Sequence, residues 1–163
     1  MKKLFENWKQ YLHEIGDASQ EPYNFKVSEE GPDSKHYTFE TEGAYKYEVG
    51  FYDNAGIFAG DNPSVHIDFH TKQTMYSLTN EAQPLKIMST VVHIIKDYLR
   101  GRSEYPITFE FDGALKRGED AGVEGTRTRL YKRYIKGILG KDVKMSVDEE
   151  DPNIIKFVVE EKP

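Results

Sequence analysis

The chain has 163 residues, no cysteine and a formal net charge of −6, with 37% hydrophobic and 31% charged residues. That length provides for one domain with a real core. The missing cysteines exclude disulfides, thiol nucleophiles and thiolate metal sites together, and no stretch has the length and apolarity of a membrane span. A secretory leader is not expected, because Lys2 and Lys3 are followed by Glu6, Asn7, Trp8 and Lys9 where an apolar run would stand. The composition suits a soluble protein made in a cytosol.

The first predicted element is a short amphipathic helix over residues 1–14. Leu4, Phe5, Trp8, Tyr11, Leu12 and Ile15 recur at three- and four-residue steps and share one face. A helix this short is marginal alone in water, so its apolar face needs a partner. Residues 15–35, which include Gly16, Pro22, Gly31 and Pro32, are poor in apolar side chains and read as a linker to a single α/β domain over residues 36–163.

From Met1 to Glu14 the N-terminus resembles the capsid-targeting peptides of internal head proteins in tailed bacteriophages, through its Leu4-Phe5-Glu6 and Trp8 and its Leu12-His13-Glu14 ending. That resemblance implies cleavage after Glu14, between Glu14 and Ile15, by a prohead protease. It implies a prohead scaffold or protease as partner of the helix, and a path from the host cytoplasm to the phage head interior. The alternative is a first helix that docks on its own domain.

Within the body, residues 36–42 and 44–52 alternate with period two. Tyr37 and Phe39 mark the inward face of one strand, and Tyr45, Tyr47, Val49 and Phe51 that of the other. Glu42-Gly43 reads as a tight hairpin turn. A Gly/Asn/Asp-rich loop over 53–63 leads to a strand over 65–70, and 74–78 adds a strand or completes a hairpin. Pro84 opens a helix to Arg100, with Leu85, Met88, Val91, Val92, Ile95, Tyr98 and Leu99 on its apolar face and Gly101 as its stop. A strand over 106–112 and a polar, Gly-rich connection over 113–125 follow. Thr126 is expected to cap a second helix with Leu130, Tyr131, Tyr134, Ile135 and Ile138 on one face. Strands over 141–147 and 154–160 complete a mixed, largely antiparallel sheet with two main helices.

This strand-strand-strand-helix-strand-helix-strand-strand order, from Tyr37 to Glu160, resembles GNAT-type N-acetyltransferases, and Leu130-Tyr131 matches the Leu-Tyr of that family's corresponding helix. The resemblance implies acetyl-CoA as cofactor and Tyr131 as general acid toward the coenzyme thiolate. The family's phosphate-binding turn is absent: residues 79–88 contain no glycine, Pro84 removes a donor and Glu81 adds a negative charge. Tyr131 then reads as a core aromatic, and no catalytic residue is assigned. The expected function is a non-catalytic phage-type internal head protein or interaction module. A divergent acetyl-CoA-dependent N-acetyltransferase is the alternative, and a host-directed interaction protein the second.

His66, Asp68 and His70 fall on one face of one strand. Residues two apart lie about 6.5–7 Å from each other. His66 and His70, twice as far apart, cannot share an ion at Zn–N bonds of about 2 Å. At most two of the three could coordinate, and the same residues read as the solvent face of a sheet. Charge is segregated along the chain. Residues 14–61 carry eleven acidic residues against three lysines, and 126–144 carry seven basic residues against Asp142. Arg129, Lys132, Arg133 and Lys136 form a positive ridge opposite the second helix's apolar stripe, suited to DNA phosphates or an acidic partner, or simply solvated. The acidic and basic segments could also face each other.

Overall fold

The structure is a computed structural model that describes residues 21–53, 64–72, 84–112, 122–140, 143–147 and 149–162. Seven strands, β1 (Phe25–Glu30), β2 (Ser34–Glu40), β3 (Lys46–Asp53), β4 (Ser64–Thr71), β5 (Ile107–Asp112), β6 (Lys144–Val147) and β7 (Ile154–Val159), form one sheet in the order β1-β2-β3-β4-β5-β7-β6. Neighbours are antiparallel except β4 and β5, which run parallel. Helix α1 (Pro84–Arg100) connects that parallel pair, and α2 (Thr126–Leu139) connects β5 to β6.

Alternation puts one row of each central strand inward. Tyr37, Val49, Phe51, Ile67, Phe109 and Phe157 are each at most 1% exposed. Both helices pack on this face. Tyr98 of α1 stacks on Phe51 at 4.0 Å and meets Phe109 edge-on at 6.2 Å, while Tyr131 of α2 meets Phe111 edge-on at 4.8 Å. Such aromatic pairs add about 0.5–1.5 kcal/mol each beyond their buried area. Helix α1 is buried on more than its expected stripe: Ile87, Ser89, Thr90 and Ile94 are at most 7% exposed as well. Thr90 satisfies its hydroxyl by donating to the Lys86 carbonyl, and it accepts the Tyr23 N–H at 2.9 Å.

Four local features differ from expectation. Phe25–Glu30, expected to be linker, is a strand paired antiparallel with β2. Its side chains are exposed apart from half-buried Phe25, so backbone pairing holds it without an inward apolar row. The β2–β3 connection turns at Glu42-Gly43 as expected but adds Ala44 as a further loop residue. Ala44 N–H donates to the Thr41 carbonyl and Thr41 N–H to the Tyr45 carbonyl, and the left-handed residue is Ala44 (φ 62°), not Gly43. Helix α1 ends without a left-handed glycine: Gly101 and Arg102 N–H groups bond back to the Tyr98 and Leu99 carbonyls. Thr126 is the first residue of α2, and the cap position is Gly125, which has no side-chain cap. Gly140, at φ 100°, closes that helix where an L side chain would be strained. The strand expected over 74–78 lies outside the described residues, as does the helix expected over 1–14.

Candidate functional site

The face of the sheet turned away from the helices carries most of the polar chemistry. Strand register brings His36, Gly50 and Asp68 abreast, and next to them Thr38, Glu48 and His70. Glu48 is the hub. Its Oε1 lies 3.0 Å from His36 Nδ1 and 4.0 Å from His70 Nε2, and its Oε2 lies 3.1 Å from Lys72 Nζ. His70 Nδ1 in turn lies 3.1 Å from Asp68 Oδ2, and His66 faces Glu110 at 3.6 Å. Burial opposes ionisation of Glu48, but hydrogen bonds from His36 and Lys72 outweigh it and hold this carboxyl below its ordinary value.

Gly50 has a specific role here. A Cβ at this position would stand 2.9 Å from the Tyr52 ring, so only glycine lets Tyr52 lie across the sheet, edge-on to His36 at 5.2 Å. His66, Asp68 and His70 share a face as expected, yet the two histidines turn to different carboxylates. Among the described residues no group of three or more histidines and carboxylates is placed to hold a metal ion. The network pairs these groups with one another across the strands. Its partners Glu48, His36 and Lys72 had no signal in any single strand, because register across strands creates the cluster.

Tyr131 lies on the other side of the sheet, 9% exposed and packed against Phe111. The start of α2 is held by Asn153, from the β6–β7 turn and 2% exposed. Its Oδ1 accepts the Gly125 N–H at 2.7 Å and the Thr128 hydroxyl at 2.8 Å, and its Nδ2 donates to the Val123 carbonyl at 3.1 Å. Opposite this anchored side, Arg129, Arg133 and Lys136 are exposed, while Lys132 is half-buried and ion-paired with Glu124. Of the four cations expected to form a ridge, three are exposed and Lys132 is neutralised locally.

A cleft of about 170 Å³ lies between the β1–β2 turn, the end of β3 and the end of α1, lined by Glu30, Ser34, Lys35, Asp53, Tyr98 and Arg102 among others. Arg102 Nη1 and Nη2 donate to Asp53 Oδ2 and Oδ1 at 2.6 and 3.4 Å. Burial opposes the Arg102 charge, and Asp53 outweighs it, so the guanidinium is held above its ordinary value. Burial pushes the Tyr98 phenol up to about 12, with the Arg102 charge opposing the rise. The processing residues Leu12, Glu14 and Ile15 lie outside the described residues. Compared with protein-family models, curated proteins and solved structures, the chain matches none.

Proposed function

We propose that this protein acts by binding, as a phage-type internal head protein or interaction module that an N-terminal helix delivers and that is released by cleavage at Glu14–Ile15. On this reading the body is GNAT-like in architecture and does not use a coenzyme. Support for the architecture comes from the element order, since β2, β3, β4, α1, β5, α2, β6 and β7 follow the succession that the resemblance implies.

The observation that carries the non-catalytic reading is the seat of Tyr131. A phenol that protonates a leaving thiolate must meet it in a cleft, whereas this ring is 9% exposed and edge-on to Phe111. Helix α1 also begins at Pro84, which offers no N–H to a phosphate.

Calorimetric titration with acetyl-CoA tests the point, with no heat expected. A stoichiometric binding heat would overturn the proposal in favour of a divergent N-acetyltransferase. The delivery step is tested by the N-terminal residue of protein recovered from particles. Ile15 is expected, and an intact Met1 there would overturn the cleavage step.

A further inference from the structure

We infer that the outer face of α2 is a docking ridge for the phosphodiester backbone of a nucleic acid, bound without regard to base sequence. This goes beyond the delivery reading and holds whether or not the N-terminal helix is cut.

Geometry makes the ridge a line. At 100° and 1.5 Å per residue, Arg129, Arg133 and Lys136 fall within about 60° of arc and span about 10.5 Å of helix axis. One strand of a DNA duplex carries a phosphate every 3.4 Å or so along its axis, so this span matches about three phosphates. The three side chains are exposed, and among the described residues none of them has an ion pair or side-chain hydrogen bond. Their direction is fixed from behind, where Tyr131, Tyr134 and Ile135 are buried and Asn153 clamps Thr128.

Lys136, in the last turn, suits the helix dipole, but local energetics do not account for Arg129 and Arg133. Arg129 and Arg133 are like charges four residues apart, and Arg133 and Lys136 three apart, spacings that destabilise a helix. No acidic residue stands in the first turn, where a carboxylate would suit the helix dipole. The acidic β1 strand does not cancel the ridge either. The sheet order puts acidic β1, with Glu29 and Glu30, four strand spacings from the β5 that lies under α2. That is about 19 Å, or roughly two Debye lengths at physiological salt. Glu29 and Glu30 of the acidic segment therefore do not face the ridge. An acidic protein is the less suitable partner, because a regular row of cations fits a polymer of regular charge. The ridge itself carries no Asn, Gln or aromatic side chain to read or stack on bases.

Fluorescence anisotropy of a labelled 20-base-pair DNA duplex, titrated with the full chain between 50 and 200 mM salt, tests this. Three phosphate contacts predict a log–log salt slope near −2.7, hence about a 40-fold affinity loss over that range. The triple variant Arg129→Gln, Arg133→Gln, Lys136→Gln should abolish binding and its salt slope, with its circular dichroism spectrum unchanged. A charge-matched control at the other end of the sheet, Lys26→Gln, Lys35→Gln, Lys46→Gln, should keep both. Absence of binding at 50 mM salt, or equal loss in the control, would overturn the assignment. So would binding of polyglutamate in place of the duplex.

Discussion

Replacing Asn153 with alanine should cost far more than one surface-turn residue ordinarily does. Its side-chain oxygen is the acceptor for two buried donors, the Gly125 N–H and the Thr128 hydroxyl, and Thr128 is 0% exposed. Alanine leaves both without a partner, and each buried group so orphaned costs about 1–3 kcal/mol. The Val123 carbonyl also loses its donor, but Val123 is 61% exposed and water can replace the amide there. The Asn153 backbone bond to Asp151 survives the substitution. The sum is about 2–6 kcal/mol, a large part of the stability of a domain this size. Urea unfolding measures it directly, and the loss should appear as a lower midpoint at unchanged slope. Thr128→Val, which removes only one of the two donors, should cost about 1 kcal/mol. The double variant should cost less than the sum of the singles, because both act on one oxygen. A loss below about 1 kcal/mol for Asn153→Ala would refute the view that this amide holds the start of α2.

Three further outcomes follow from local geometry. Ala44→Gly should stabilise the protein by about 0.5–1 kcal/mol in urea unfolding, because it relieves a left-handed L residue in the β2–β3 turn. The Glu48 carboxyl is held below its ordinary value, so its contribution is present above the ordinary carboxylate range and is lost as pH falls through the lowered value. The stability difference between the wild type and Glu48→Gln, followed by thermal melts from pH 6 downward to about pH 3, should therefore shrink as acid is added; a difference that grows would contradict the hub role. Tyr98→Phe should change stability by less than about 0.5 kcal/mol, since among the described residues the Tyr98 hydroxyl makes no hydrogen bond and its ring stacking on Phe51 is retained. A loss above about 1.5 kcal/mol would mean that the phenol has an essential partner.

Strands and helices with an inward apolar row were legible in the sequence: period two over Tyr37–Phe51 and the 3.6-residue period over Pro84–Arg100 placed β2, β3 and α1 closely. Strand β1 was not, because exposed Lys26, Val27, Ser28, Glu29 and Glu30 carry no burial pattern and the strand exists by pairing with β2. The insertion of β7 between β5 and β6 is likewise set by long-range pairing that no local pattern encodes. At the polar face, the shared side of His66, Asp68 and His70 could be read from alternation, but their coupling to Glu48 and Glu110 could not. Asn153 reads in sequence as one more turn residue after Pro152; its grip on α2 depends on a segment 25 or more residues earlier.

The single parallel contact in the sheet gives the molecule a line of mechanical weakness. From β1 to β4 each strand returns antiparallel along its neighbour, and β5, β7 and β6 form a second such block. Seven residue pairs join β2 to β3 and seven join β3 to β4, but only four, from Ser64–Thr108 to Ile67–Phe111, join the two blocks. A load that pulls β3 away from β7 should tear the sheet there first, leaving two blocks that are each still internally paired. What bridges the seam is α1, whose Tyr98 touches Phe51 on one bank and Phe109 on the other. The helix is a splint across the crack.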